Sequence, residues 1–159
     1  MPMSDERIPT LAEWAGGTPA FERLTDLFYG KVTADLLLGP VFAAMSPEHS
    51  RRVAAFIVEV FGGEKGYSER HGDHAGMIRH HMHRHFTEAM RRRWIELAVD
   101  AADEAGLPLD PEFRAAFVGY LEWGTRLAVM NSQPDATPPG DSLPMPTWGW
   151  GPPGGPYRG

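Results

Sequence analysis

The chain has 159 residues, no cysteine and a formal net charge of −6 at pH 7, and hydrophobic residues make up 42% of it. That length suits one domain with its own core, and the lack of cysteine excludes disulfides, thiolate catalysis and thiolate-bound zinc or iron–sulfur clusters. The acidic balance argues against a nucleic-acid surface. No apolar run approaches the ~20 residues of a membrane span, and none resembles a signal peptide. We therefore expect a cytoplasmic protein.

Two proline signals predict the first long helices. Thr18-Pro19 offers an N-cap followed by a proline at the first helical position, and Ser46-Pro47 repeats this signal. Apolar residues at helical spacing follow each of them and predict a buried face. These residues are Phe21, Leu24, Leu27, Phe28 and Val32 in the first helix and Val53, Phe56, Ile57, Val60 and Phe61 in the second. We expect Gly39-Pro40 and Gly62-Gly63 to end the two helical regions.

Three further helices are predicted in the second half of the chain. Glycines and charged residues predict a long loop over 62–76, with a short helix over 76–81 after it. Thr87 is expected to cap a long helix that closes at Gly106, and Asp110-Pro111 begins the last helix. Because no stretch shows the alternating pattern of a β-strand, the predicted fold class is all-α.

Composition divides the chain into three regions. Residues 1–17 form an N-terminal extension, 18–133 the helical domain and 134–159 a tail. The tail holds eight of the 15 prolines and six of the 18 glycines, together with Trp148-Gly149-Trp150. Such a segment cannot bury enough apolar surface to offset the entropy lost on ordering, so we expect it to be disordered.

Six of the seven histidines fall between His71 and His85, which suggests a metal site. On a helix, His81 and His85 share a face and suit a surface-bound divalent ion. Of the adjacent pair His80 and His81, one is expected to point inward, and the periodicity does not say which. The others are expected to be exposed: His71, His74, His83 and His85.

A heme is the other candidate partner for an inward histidine. Porphyrin needs an apolar slot between helices, one neutral imidazole that reaches the iron, and a second axial position left open for a gas. Tyr29 with Phe28, and His49 with Val53, are candidates for the other side of such a slot. Each also has an ordinary interpretation, because Tyr29 fits a core tyrosine with a satisfied hydroxyl and His49 fits an exposed position.

The order of the motifs resembles the truncated hemoglobins of group II, a mainly bacterial globin family with a two-on-two helical sandwich around heme b. The tryptophan thirteen residues after His81 is the mark of that group. The matching pieces, with their spacing kept between residues 21 and 133, are Phe28-Tyr29-Gly30-Lys31-Val32, Gly39-Pro40-Val41-Phe42, Phe56 through Gly63, Tyr67-Ser68-Glu69, Met77 to His81, and Thr87-Glu88-Ala89 leading to Arg93-Trp94.

Carried over by position, the resemblance implies roles for ten residues. His81 matches the proximal ligand of the iron, while Tyr29 and Trp94 match distal residues that face the bound gas. His49 falls near the family's distal gate position. The residues implied as further contacts of the cofactor are Phe42, Val53, Tyr67, Met77, Arg79 and His80.

One of these contacts departs from the family pattern. The family often has Arg or Lys just before the proximal ligand, where it serves a heme propionate. In this chain His80 stands there, so the propionate contact passes to Arg79 or Tyr67 as candidate substitutes.

The resemblance implies a heme protein that binds dioxygen and other small diatomic ligands, with nitric oxide or peroxide chemistry as a further activity. It leaves open oxygen transport, sensing and slow redox catalysis with a reductase, and a monomer or a homodimer. Two alternatives without heme remain: a His-rich metal-binding module, and a helical domain that recruits partners through its tail.

Overall fold

The computed structural model describes residues 7–140 and 143–159, which contain seven α-helices and no strand. The helices are α1 (Leu11–Ala15), α2 (Thr18–Ala34), α3 (His49–Val60), α4 (Gly66–Arg70), α5 (His74–His81), α6 (Glu88–Glu104) and α7 (Pro111–Asn131), with a short 3-10 turn at Gly39–Phe42. The prediction of an all-α fold is confirmed. Within the described residues, no helix is both long and apolar enough to cross a membrane.

The core lies where α2 packs against α3 and α6 and where α6 packs against α7. Three aromatic side chains link these layers. The ring centroid of Phe61, just after α3, lies 5.7 Å from that of Phe21 on α2 and 5.3 Å from that of Tyr120 on α7, both edge-on. Burial of such rings contributes a large share of the folding free energy, and the edge-on geometry fixes their relative positions.

Two of the predicted helix starts are confirmed by their caps. The side chain of Thr87 accepts the backbone N–H of Met90 at 3.1 Å, and that of Asp110 accepts the N–H of Phe113 at 3.2 Å. Each bond satisfies one of the N–H groups that a helix leaves unpaired in its first turn. The last two long helices therefore begin where the sequence predicts.

The two starts predicted from the proline signals are shifted, and the short helix predicted over 76–81 begins two residues earlier, at His74. The N-cap of α2 is Gly17, at φ +74, so Thr18 is the first helical residue instead of the cap. Glycine takes this positive φ without strain, and the chain turns there. The side chain of Ser46 accepts the N–H of Glu48 at 3.2 Å within a turn, and α3 begins only at His49.

The predicted loop over residues 62–76 is wrong in part because it contains α4. Tyr67 on this short helix is buried, and its ring lies edge-on against Phe56 at a centroid distance of 4.9 Å. The backbone N–H of Ser68 donates to the carboxylate of Glu59 on α3 at 2.8 Å. These contacts join residues nine and eleven positions apart in the sequence, so the local glycine content does not reveal them.

The C-terminal tail also differs from expectation, because it is packed against the domain. Met145, Trp148 and Trp150 contact the core. The backbone N–H of Trp148 donates to the carbonyl of Val60 at 2.8 Å, and the indole N–H of Trp150 donates to the carbonyl of Pro9 at 2.8 Å. Both tryptophans bury apolar surface, and each makes a hydrogen bond, Trp148 through its backbone and Trp150 through its indole, which the average composition of the tail does not predict.

The N-terminal region packs into the same core. Leu11 and Ala12 on α1 are each 1% exposed. Gly63, at the end of α3, lies so close to this helix that an added Cβ would stand 2.6 Å from Cγ1 of Val58 and 2.9 Å from Cβ of Ala12. Gly63, which follows the end of α3 at Val60, therefore gives room for α1.

We predict that Gly63→Ala lowers the free energy of unfolding by about 1–3 kcal/mol, because the new methyl group overpacks this contact. Gly30→Ala is the matched control, since its Cβ would meet nothing within 4 Å. On the exposed side of α2 it is expected to stabilise by about 0.5–1 kcal/mol. Urea unfolding of both variants measures the difference. Equal stability of Gly63→Ala and the parent chain would contradict the close approach.

Candidate functional site

A cavity of about 900 Å³ lies between the helices, within the size range of cofactor sites. Nine of the ten residues singled out in the sequence line it: Tyr29, Phe42, His49, Val53, Tyr67, Met77, His80, His81 and Trp94. Arg79 does not line it. The fold therefore brings together residues that are spread over five helices and the 3-10 turn.

His80 and His81 occupy different environments at the end of α5. Both line the cavity, but His80 is exposed, whereas His81 is partly buried and its ring packs edge-on against Phe86 at 5.9 Å. Burial, reinforced by the positive charge of Arg84, lowers the pKa of His81 to about 4. The imidazole of His81 is therefore neutral at pH 7.

The ring nitrogens of His81 are also unpaired within residues 7–140 and 143–159, where neither has a hydrogen-bond partner. A neutral imidazole with an available lone pair is the form of histidine that binds a metal. Within the same described residues, no group of three or more His, Cys, Asp or Glu side chains could hold a metal ion. Several histidines of the His-rich segment line the cavity, but among the described residues they do not form a metal-binding group of three or more such side chains.

A polar cluster from three other helices lines the same cavity. The hydroxyl of Tyr29 on α2 lies 3.1 Å from Nε2 of His49, the first residue of α3. Burial raises the pKa of Tyr29, so its phenol stays protonated, and burial together with Arg52 lowers the pKa of His49. The ring of Trp94 on α6 lies 6.0 Å from that of Tyr29, and its indole N–H has no hydrogen-bond partner among the described residues.

Aromatic packing fixes the position of this cluster. Phe28 touches Tyr29 and Trp94 edge-on, with centroid distances of 4.9 and 4.7 Å, and Phe42 in the 3-10 turn lies 5.4 Å from Trp94. Three rings therefore bracket Trp94 and leave it little rotamer freedom.

An ion pair next to this cluster ties α6 to the end of α2. Nε of Arg93 donates to the carboxylate of Asp35 at 2.7 Å, and this hydrogen bond lowers the pKa of Asp35. The Asp35 side chain is only 8% exposed, so solvent screens the pair weakly from that side. Because Trp94 follows Arg93 directly, the pair helps set the register at which Trp94 meets Tyr29.

A group of residues on the α5 and α7 side of the cavity was not predicted from the sequence. His74, predicted to be exposed, is 7% exposed and lines the cavity, as do Tyr120 and Trp123. Nδ1 of His74 is buried without a hydrogen-bond partner in the described part of the chain. A signal was present, because His74 and His81 are seven residues apart and lie on one face of a helix.

The segment after α5 is held by the end of α7. His83 and His85 have φ values of 64° and 54°, which non-glycine residues seldom adopt. The backbone N–H of His85 donates to the carbonyl of Ser132 at 3.0 Å, and the N–H of Phe86 donates to its hydroxyl at 2.9 Å. These bonds to a fully buried serine fix the chain that follows His81.

The bacterial-like globin family matches residues 10–122, which is more than half of the chain. The chain belongs to the bacterial-like globin family. A group 2 truncated hemoglobin of Bacillus subtilis (strain 168) is 30% identical over 117 residues, covering 74% of this chain and 86% of that protein. A group 1 truncated hemoglobin of Nostoc sp. (strain MUN 8820) is 34% identical over 96 residues, covering 55% and 81% of the two chains.

Solved structures agree with this assignment. The group II truncated hemoglobin from Bacillus anthracis superposes with a TM-score of 0.71 at 25% identity, covering 82% of this globin and 98% of that chain. The hemoglobin of the thermophilic phototrophic bacterium Chloroflexus aurantiacus superposes with a TM-score of 0.67 at 32% identity, covering 76% and 97%. The resemblance to truncated hemoglobins and the two-on-two helical fold are both confirmed.

Membership of this family makes heme b the cofactor and a small ligand such as oxygen the bound molecule. The cavity of this globin fits that cofactor. It offers apolar side chains for the porphyrin, such as Val53 and Met77, and a neutral, unpaired imidazole for the iron. Arg52, Arg70 and Arg84 also line it and carry the charge that anionic propionates require.

Proposed function

We propose that His81 is the axial ligand of the heme in this globin, and that Tyr29, His49 and Trp94 hold a diatomic ligand, above all dioxygen, on the distal side. One observation carries the proposal: a single cavity is lined by an unpaired imidazole from α5 and by polar groups from α2, α3 and α6. One such ligand and several hydrogen-bond donors are what reversible gas binding requires.

When bound, heme would supply an iron that can bind the gas. The donors come from the chain. The Tyr29 hydroxyl stays protonated, and the Trp94 N–H has no other partner in the described residues, so each can donate to a partly negative oxygen atom. In a water-poor pocket each such bond contributes roughly 1–3 kcal/mol.

His49 determines where the proton of Tyr29 points. If Nε2 of His49 is unprotonated, it accepts the Tyr29 hydroxyl proton across the 3.1 Å contact. If Nε2 carries the hydrogen, it donates to the Tyr29 oxygen, and the phenol proton turns to the ligand. We propose that ligand binding favours the second tautomer, so that His49 supports Tyr29 instead of competing for it.

The remaining contacts follow from the lining of the cavity. We propose that Phe42, Val53 and Met77 contact the porphyrin, because their side chains are apolar and line the cavity. Tyr67 and three arginines that line the cavity, Arg52, Arg70 and Arg84, are the candidates for the propionate contact, since Arg79 lies outside the lining.

We predict that His81→Ala weakens heme binding at least about tenfold, because the only bond to the iron from the protein is lost. His80→Ala, the adjacent histidine, is the matched control and is expected to keep both affinity and spectrum. Titration of cofactor-free protein with heme measures the affinity, and the absorption spectrum of the reduced protein reports the ligand. If His80→Ala abolishes binding and His81→Ala does not, the axial assignment moves to His80.

We predict that Tyr29→Phe raises the dissociation rate of dioxygen by about tenfold or more, because 1.4 kcal/mol corresponds to a factor of ten. Tyr67→Phe removes a hydroxyl from the same cavity and is expected to leave this rate within about twofold. Stopped-flow mixing of the oxygenated protein with an oxygen scavenger measures both rates. Equal rates in all three proteins would remove Tyr29 from the distal network.

Two or three hydrogen-bond donors that hold the bound oxygen also slow its release. Because slow release suits oxygen transport poorly, they favour a chemical reaction of the bound oxygen instead. We propose nitric oxide oxidation, in which nitric oxide, dioxygen and one electron give nitrate, with the electron supplied by a cytoplasmic reductase. Nitric oxide consumption under air with a flavin reductase is expected to be faster with this globin than with His81→Ala. Consumption no faster than with an equal amount of free heme would exclude this activity.

A further inference from the structure

Residues 143–150, named the strap here, lie against α7 on the side that carries the cavity wall. The Trp148 ring lies 5.8 Å from Tyr120 and 5.9 Å from Trp123, measured between centroids. Both partners line the cavity. Gly119, one residue before Tyr120, lies next to this ring, and a Cβ added there would stand 3.6 Å from it, in ordinary van der Waals contact. Trp148 therefore backs two side chains that face the cofactor site.

The strap also reaches α5. The centroid of the His74 ring lies 6.3 Å from that of Trp123, so Trp123 is packed between His74 and Trp148. Burial lowers the pKa of His74, and the backbone carbonyl of Pro144 in the strap opposes that shift. Because α5 carries His81 and packs on α7, the strap supports the wall that holds the axial ligand.

A hydrogen bond anchors Trp148 at its backbone. Its N–H donates to the carbonyl of Val60 at 2.8 Å, in the last turn of α3, where helix carbonyls lack partners within the helix. Met145 adds apolar contact with the core. The strap thus spans three helices around the cavity: α3, α5 and α7.

We propose that the strap is a heme-retention clamp, in which Trp148 acts through Tyr120 and Trp123 to keep the α5–α7 wall closed on the cofactor. The proposal rests on the placement of heme in this cavity. Trp123 is 39% exposed even with Trp148 beside it. Without that ring, Trp123 loses the partner on its outer side, and the wall opens more readily to let the porphyrin out.

Trp150 provides a matched control two residues away. Its indole N–H donates to the carbonyl of Pro9, and its ring lies 6.3 Å from that of Trp14 on α1. Neither ring lines the cavity. Trp150→Ala therefore removes the same side chain from the same tail as Trp148→Ala does, but at a place where the tail contacts the N-terminal region instead of the cavity wall.

The test measures transfer of heme from the loaded globin to an excess of apomyoglobin, together with urea unfolding of the cofactor-free protein. We expect Trp148→Ala to speed heme loss about tenfold and Trp150→Ala to stay within about twofold of the parent chain. Trp148→Phe, which keeps an aromatic ring, is expected to restore most of the retention. Should Trp148→Ala not fold, Trp148→Leu takes its place with the same expected acceleration.

Two results would overturn the clamp. In one, Trp148→Ala loses heme at the parent rate; in the other, both tryptophan variants accelerate loss in proportion to lost stability, which would mean that the tail acts only through the whole fold. If the parent chain binds heme, His81→Ala does not, and Trp148→Ala leaves the rate of heme loss unchanged, then the clamp is excluded and the proposed function stands. A parent chain that takes up no heme removes both the clamp and the proposed function.

Discussion

The site depends on edge-to-face packing of aromatic rings between α2 and α6. Phe28 contacts both Tyr29 and Trp94 at centroid distances below 5 Å, and this contact decides how the two polar residues are spaced. The rings are large, and their geometry has few alternatives, so small shifts of either helix are costly. In this globin, apolar packing holds the hydrogen-bond donors in the positions from which they stabilise the ligand.

The same arrangement makes the distal side a small hydrogen-bond network instead of three independent donors. Tyr29 and His49 share one contact of 3.1 Å, so a change in either alters the direction of the other's proton. Trp94 is not part of that contact, and its orientation is set by ring packing and by the adjacent Arg93–Asp35 pair. Substitutions at Tyr29 and His49 should therefore be non-additive, whereas Trp94 should act more nearly alone.

Local chemistry predicted some of the fold well. The caps at Thr87 and Asp110 depend on residues three positions apart, and these helices begin where expected. Helix α4 did not follow from local residues, because it depends on Tyr67 packing against Phe56. The three consecutive arginines at 91–93 also differ in ways that the local sequence does not predict. The Arg91 side chain is 3% exposed and bonded to Glu88 and Glu122, whereas that of Arg92 is 77% exposed.

The candidate site was predictable only in part. The resemblance to a family singled out ten residues, and nine of them line one cavity, but periodicity alone could not choose between His80 and His81. That difference comes from the environment at the end of α5, where one ring is exposed and its neighbour is partly buried. His74 and Trp123 were missed because their places in the cavity wall depend on contacts between residues far apart in sequence, His74 with Trp123 and Trp123 with Trp148 of the tail.

The hydrogen bond from Trp150 to Pro9 joins the two ends of the polypeptide. Asp110, at the start of α7, reinforces that junction, because its carboxylate accepts the Trp14 indole N–H at 2.8 Å and the Tyr157 backbone N–H at 3.3 Å. Chain ends ordinarily fray independently of each other. In this molecule, loosening of one terminus removes a partner from the other, so the two should open together as one cooperative unit.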